Sequence, residues 1–176
     1  MPAWHRNELG TGRTMVRRVV AVGATALLFA QLTATAVADD RSLREAGRSR
    51  DAEFQRLGRE TRAAFDRWWQ SGNGRRQARR VIRPLRRTRA EVDIVVAAVT
   101  REQPSSPDGE TYKSKLLEAL DIFDRSLRWE IRGVRAGTND RIVRARRAFR
   151  RAERLETRAR RLERQAVKAI ERVVPD

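Results

Sequence analysis

The feature that most constrains the fold is a helical spacing of apolar residues that continues, with few interruptions, from about residue 41 to residue 174. Apolar side chains recur every three or four positions, which is typical of one face of an α-helix. Clusters of Gly, Pro, Asn and Ser interrupt this spacing at residues 71–74 and 103–109. Such clusters favour turns and loops, so the chain is expected to reverse direction at both places.

A third and weaker break lies at residues 133–139, where Gly137 is suited to end one helix and Thr138 to cap the next. Pro84 lies within the second apolar segment and is expected to kink or divide it, because proline removes a backbone hydrogen bond. The three breaks predict four helices, at about residues 41–70, 75–102, 111–135 and 139–174.

Short breaks between long amphipathic helices favour antiparallel neighbours. The predicted fold is therefore all-α, an antiparallel up-down four-helix bundle of long amphipathic helices. The alternative is a set of long helical hairpins whose apolar faces are completed by dimerisation, as in a coiled coil. The sequence contains no cysteine, so either arrangement has to be stable from packing alone.

The only long stretch without a charged residue runs from residue 19 to residue 38. Basic residues precede this stretch, its middle part is apolar, and the small-residue sequence Ala36-Val37-Ala38 ends it. These are the three parts of a secretory signal peptide, and we expect cleavage before Asp39. The alternative is an uncleaved membrane anchor, since about 20 apolar residues can span a bilayer.

Residues 1–38 are accordingly predicted to be a leader, with Met15 as an alternative start. The remaining residues, 39–176, are predicted to form one helical-bundle domain. Its predicted location is secreted or periplasmic, or anchored at the membrane if the leader is retained.

Positive charge is the second strong constraint. The chain carries 40 Lys+Arg and 23 Asp+Glu, a net charge of +17, and 37 of these cations are arginine. Without the leader there remain 36 basic and 22 acidic residues, a net charge of +14. In an up-down bundle, residues 60–82 and 125–148 lie at one end, where they contribute 14 arginines and 4 acidic residues.

This basic end also contains tryptophans and is the predicted binding site for an anionic polymer or surface. Arginine forms bidentate hydrogen bonds to phosphate and stacks on aromatic rings. Trp68 continues an apolar face and is expected in the core, whereas Trp69, one position further, is expected at the surface. The predicted site residues are Arg75, Arg76, Arg79, Arg80, Arg128, Arg132, Arg135 and Trp69.

Export restricts the partners to cell-wall phosphate polymers, extracellular DNA or anionic lipid headgroups. The alternative is that these arginines form a solvated helix face without a ligand. A second row of cations follows the last helix at a spacing of three and four. Its arginine stems are expected to cover the edges of the core while their charged groups stay in water; its alternative role is to bind a partner helix or an acidic surface. The row comprises Arg144, Arg147, Arg151, Arg154, Arg158, Arg161, Lys168 and Arg172.

Few residues are suited to catalysis or metal binding. The single histidine, His5, lies in the predicted leader, so the domain has no imidazole for acid–base chemistry or zinc. Glu118, Asp121 and Asp124 form a local carboxylate cluster that we expect to pair with arginines across the bundle; the alternative is a site for a hard cation, which accepts carboxylates alone. We therefore predict no enzyme activity, cofactor, metal or small-molecule substrate. The predicted function is a non-catalytic binding module for anionic polymers or surfaces of the cell envelope. The alternative is a structural or protein-interaction bundle, with self-association and no polyanion ligand.

Overall fold

The computed structural model describes residues 38–173, and all regular secondary structure in this part of the chain is α-helical. The all-α prediction is therefore confirmed for these residues. The predicted leader lies outside the described residues except for its last residue, Ala38. The structure has a short helix followed by four long ones: α1 Ala38–Arg48, α2 Asp51–Gln70, α3 Arg75–Arg101, α4 Pro107–Thr138 and α5 Ile142–Val173.

Helices α1 and α2 take the place of the single helix expected over residues 41–70. Ser49 and Arg50 separate them, and the φ of Arg50 is −126°, which is outside the helical range. The Ser49 hydroxyl donates a hydrogen bond to the carbonyl of Ala46 at 2.8 Å and closes the end of α1. Glu53 then provides negative charge in the first turn of α2, where the helix dipole favours it.

The turn between α2 and α3 lies at residues 71–74, as the sequence predicts. Gly72 has a φ of +70° and Asn73 a φ of +67°, two successive left-handed residues of the types that adopt this conformation most readily. Helix α3 then continues through Pro84 without being divided. One turn later the Thr88 hydroxyl donates to the carbonyl of Pro84 at 3.0 Å.

Helix α4 begins four residues before the predicted start at residue 111. The side-chain oxygen of Ser106 accepts a hydrogen bond from the backbone N–H of Gly109 at 2.9 Å, which makes Ser106 the N-cap. Pro107 occupies the first helical position, where a missing N–H leaves no hydrogen bond unmade.

The break expected at residues 133–139 begins later in the chain, because α4 continues to Thr138. Gly133 and Gly137 lie inside the helix, and their missing side chains make room for neighbouring rings. A Cβ atom at Gly133 would lie 2.7 Å from the Phe149 ring, and one at Gly137 would lie 3.0 Å from Trp68. The chain reverses instead at residues 139–141, where Asp140 has a φ of +55°.

An aromatic cluster packs where α2 meets α5. Phe65 lies edge-on to Trp68 and to Phe149, with ring centroids 5.8 and 5.9 Å apart, and Trp68 and Phe149 are separated by 6.5 Å. The prediction that Trp68 lies in the core is confirmed. The most extensive helix pairing is that of α4 with α5, and α1 packs against α3, α4 and α5. Between residues 38 and 173, no helix combines the length and apolar character needed to cross a membrane.

Candidate functional site

An open groove of about 930 Å³ lies between the C-terminal half of α4 and the N-terminal half of α5. Nine of the 14 residues that line it are arginines, and none is acidic. We call it the arginine groove. Its arginines are Arg132, Arg135, Arg141, Arg144, Arg147, Arg150, Arg151, Arg154 and Arg158, and its other lining residues are Trp129, Ala136, Asn139, Ala148 and Leu155.

The spacing of arginines along α5 produces one wall of the groove. Intervals of three and four residues keep side chains on one face of a helix. From Arg144 to Arg158 this face extends for about 21 Å at 1.5 Å per residue. Small residues on α5 are buried beside it, and they allow the backbone of α4 to approach closely enough to form the second wall. These residues are Ala145, Ala148, Ala152 and Ala159.

Trp129 joins the two walls. The guanidinium carbon of Arg132, on the same helix, lies 4.7 Å from the centroid of the indole ring, and that of Arg151, on α5, lies 4.8 Å from it. A guanidinium over an aromatic face is attracted by the ring quadrupole by about 0.5–2 kcal/mol. The indole therefore orients one arginine from each helix within the same groove.

The positive charge of the groove is largely uncompensated. Within residues 38–173, Arg158 is the one groove arginine with an ion pair, formed with Glu118 at 2.9 Å. The first turn of α5 contains no acidic residue, so the positive end of the helix dipole adds to the potential. A concave surface lined by charges of one sign attracts counter-ions from solution, and salt screens this attraction over about 10 Å.

Two carboxyl groups near the groove do not line it, because they are buried where α4 packs against α5. Glu130 and Glu156 are both buried. Burial raises the pKa of Glu130 well above its ordinary value, and the neighbouring Glu156 raises it further. Burial also raises the pKa of Glu156 to about 7, although Arg160 at 2.9 Å acts in the opposite direction. Because neither carboxyl group lines the groove, neither reduces the positive charge of its surface.

The structure divides the predicted site residues between several places. Arg132 and Arg135 line the groove. Arg128 is exposed but forms an ion pair with Asp124 at 2.6 Å. The four arginines at the start of α3 are exposed and lie outside the groove; they are Arg75, Arg76, Arg79 and Arg80. Trp69 is half-buried and packs edge-on against Trp68 with ring centroids 6.2 Å apart.

Sequence reasoning did not identify most of the groove. Five members of the cationic row on the last helix line it, although the row was expected to cover the edges of the core; these are Arg144, Arg147, Arg151, Arg154 and Arg158. Their regular spacing is a usable signal, but it does not show that Trp129 and Arg132 lie opposite.

The prediction that the carboxylate cluster pairs with arginines of other helices is confirmed for Glu118 and Asp124, whereas Asp121 pairs within its own helix. Glu118 pairs with Arg158 at 2.9 Å, and Asp121 with Arg125 at 3.6 Å. Asp124 lies between Arg89 and Arg128, at 2.5 and 2.6 Å.

No protein-family model matches this sequence, and comparison with curated proteins and with solved structures found no significant match. The functional proposals therefore rest on the residues of this chain and their geometry.

Proposed function

We propose that this protein is a non-catalytic binding module for anionic polymers or anionic surfaces, and that the arginine groove is its binding site. The observation that carries the proposal is a concave surface with nine arginines and no carboxylate in its lining. Guanidinium groups form paired hydrogen bonds to phosphate or sulfate oxygens. Several such contacts made together release bound counter-ions, and this release drives the binding of polyanions.

The distribution of ion pairs elsewhere in the chain supports a ligand role over a solvated face. Arg56 pairs with both Glu53 and Glu60, and Arg89 pairs with Asp124. Acidic partners thus neutralise some of the arginines outside the groove, although among the described residues the four at the start of α3 have none. Among the described residues, the other eight groove arginines have no such partner and repel one another, and an anionic ligand that binds across them relieves this repulsion.

We further propose that the four long helices form an antiparallel up-down bundle. Contacts between helix ends support this arrangement. Trp68, near the end of α2, packs on Phe149, near the start of α5. Arg172, at the end of α5, lies 3.5 Å from Asp108, at the start of α4.

The proposed place of action is outside the cytoplasm, because residues 1–38 have the composition of a secretory leader. Mass spectrometry of the protein from its native host tests this part. An N-terminus at Asp39 supports export with cleavage, whereas an intact leader contradicts cleavage and favours the membrane-anchored alternative.

Two variants with equal charge test the groove itself. One replaces four groove arginines by glutamine, at Arg144, Arg147, Arg151 and Arg154. The control replaces the four exposed arginines of α3, at Arg75, Arg76, Arg79 and Arg80. Heparin retention and the anisotropy of a labelled DNA duplex report binding between about 50 and 200 mM salt. We expect the groove variant to lose at least tenfold in affinity, because it loses up to four phosphate contacts, and each lost contact reduces the magnitude of the slope of log affinity against log salt by about 0.9.

The control variant is expected to bind within a few fold of the unmodified protein. Equal losses in both variants would mean that net charge alone is responsible. A larger loss of affinity in the control would instead assign the binding site to the arginines at the start of α3, as the sequence predicts. Absence of binding by the unmodified protein would favour the alternative, a structural or protein-interaction bundle. Circular dichroism checks that both variants stay helical.

A further inference from the structure

The start of α5 exposes two adjacent apolar side chains at one end of the arginine groove. Ile142 is 42% exposed and Val143 is 63% exposed. Among residues 38–173 the other large hydrophobic residue with comparable exposure is Ile94, at 46%, which stands alone on α3. Isolated exposed apolar residues are common on soluble proteins. The adjacent pair Ile142 and Val143 is more specific than an isolated residue, because it lies at the start of α5, where the arginine groove also begins.

The apolar pair is flanked by cations. Arg141 and Arg144 border the shallow depression formed by residues 140–144 and also line the arginine groove. Arg147 follows one turn later and is exposed. Asp140 is the one acidic residue that lines this depression. Exposed apolar side chains surrounded by arginines are typical of segments that lie in the interface of an anionic membrane.

We propose that this tip docks on an anionic lipid surface, a proposal that rests on the proposed function and specifies the source of the anion. Ile142 and Val143 enter the boundary between headgroups and acyl chains. Arg141, Arg144 and Arg147 contact the lipid phosphates around them. The groove then lies against the membrane surface, and binding is peripheral and reversible.

The residues of the tip favour a lipid over the other occupants. A soluble phosphate polymer is attracted by the arginines but has no acyl layer to receive Ile142 and Val143. A second copy of the chain would bring two sets of arginines together, since Arg141 and Arg144 lie beside the pair. An anionic lipid surface satisfies both the charge and the apolar side chains.

A single fluorophore at the tip tests the proposal on the full chain. The protein has no cysteine, so Val143→Cys introduces one site for an environment-sensitive dye. Vesicles of phosphatidylglycerol mixed with phosphatidylcholine are compared with vesicles of phosphatidylcholine alone. We expect a blue shift and protection from an aqueous quencher with the anionic vesicles only. The matched control, Ile94→Cys, has similar exposure in the parent protein and is expected to show neither change.

A second pair of variants distinguishes the contribution of the arginines to lipid binding from that of the apolar side chains. Arg144→Gln with Arg147→Gln is expected to raise the lipid concentration needed for the blue shift by roughly tenfold, because two cations near the surface are lost. Ile142→Ser, in the labelled Val143→Cys protein, is expected to reduce the blue shift while heparin retention stays unchanged.

Three results would overturn the proposal. The first is the absence of a blue shift on anionic vesicles. If heparin retention still depends on the groove arginines in that case, the proposed function stands and only lipid docking is wrong. The second is an equal shift on uncharged vesicles, since adsorption would then be apolar only. The third is a shift that appears without lipid as protein concentration rises, which would assign the tip to self-association. Loss of groove-dependent heparin binding would instead count against the proposed function.

Discussion

Two glycines determine how closely α4 approaches its neighbours. Gly133 and Gly137 have helical neighbours on both sides, although glycine in a helix interior is destabilising by roughly 0.5–1 kcal/mol relative to alanine. The compensation is aromatic packing, because the rings of Phe149 and Trp68 occupy the space that side chains would fill. The wall of the arginine groove on α4 depends on this close approach.

Replacing Gly133 by alanine is expected to destabilise the protein. The new Cβ would lie 2.7 Å from the Phe149 ring, so the ring or the helix has to move. Overpacking of this kind reduces the free energy of unfolding by about 1–3 kcal/mol, which chemical denaturation measures. The control is Gly74→Ala, where the nearest atom is the Ser71 hydroxyl oxygen at 3.9 Å. Equal stability of the two variants would contradict the packing argument.

These glycines also explain why the break between the last two long helices was predicted a few residues too early in the chain. Glycine is favoured both at helix ends and at close contacts between helices, and local sequence does not distinguish the two uses. Phe149, which requires the space, lies in another helix. By contrast, the turn at residues 71–74 was correctly predicted, because left-handed Gly72 and Asn73 depend on local conformation alone.

At the scale of elements, α1 is held by a buried carboxylate. Asp40 accepts a hydrogen bond from the backbone N–H of Ser105 at 2.9 Å and another from the Ser106 hydroxyl at 2.7 Å. Gly109 lies directly against the same carboxylate. The side chain thus ties the first turn of α1 to the loop that begins α4.

Asp40→Ala is expected to release α1 from this loop. The variant leaves the Ser105 N–H without its carboxylate acceptor, at a cost of about 1–3 kcal/mol. Hydrogen exchange of α1 amides is expected to accelerate more than exchange in α4 or α5. Glu45→Ala is the control, since Glu45 is exposed and pairs only with Arg41 on its own helix. Unchanged exchange in α1 after Asp40→Ala would argue against the anchoring role.

The division of the first predicted helix has a related physical reason. The one glycine near the junction, Gly47, lies inside α1 and no proline is present, so the apolar spacing is continuous across Ser49 and Arg50. The junction is held in part by Arg50, whose ion-pair partner Glu91, at 2.6 Å, is distant in sequence. Long helices were predictable from spacing, whereas a junction set by distant contacts was not.

At the scale of the whole molecule, sequence counting predicts that the excess charge lies at one end of a bundle, but it does not predict which face of the helices carries that charge. The level of a residue along a bundle follows from helix order. Its direction around the helix depends on packing, here on the buried alanines that bring α5 against α4. The packing of α5 against α4 places Arg132 and Arg135 in the same groove as the arginines of α5. The arginines of α3 lie outside this groove.

Four acidic groups give the whole molecule an unusual dependence on pH. Burial raises the pKa of Asp51, Glu156 and Glu163 to about 7, and that of Glu130 well above its ordinary value. In the unfolded chain these groups titrate near pH 4 to 4.5. Between about pH 4 and 7 the folded protein therefore binds more protons than the unfolded chain, and the free energy of unfolding falls as pH rises.

We expect the protein to be less stable at about pH 8 than at pH 5, by about 2 kcal/mol or more. Chemical denaturation at both pH values and moderate salt measures this difference. Glu130→Gln is expected to raise stability at the higher pH and to reduce the difference by about 1–2 kcal/mol, because the buried group no longer has to stay protonated. Exposed Glu45→Gln is the control and is expected to leave the difference unchanged. A protein whose stability rises with pH over this range would instead require Glu130 and Glu156 to be stabilised as carboxylates, and the arginine groove would then lie against two negative charges.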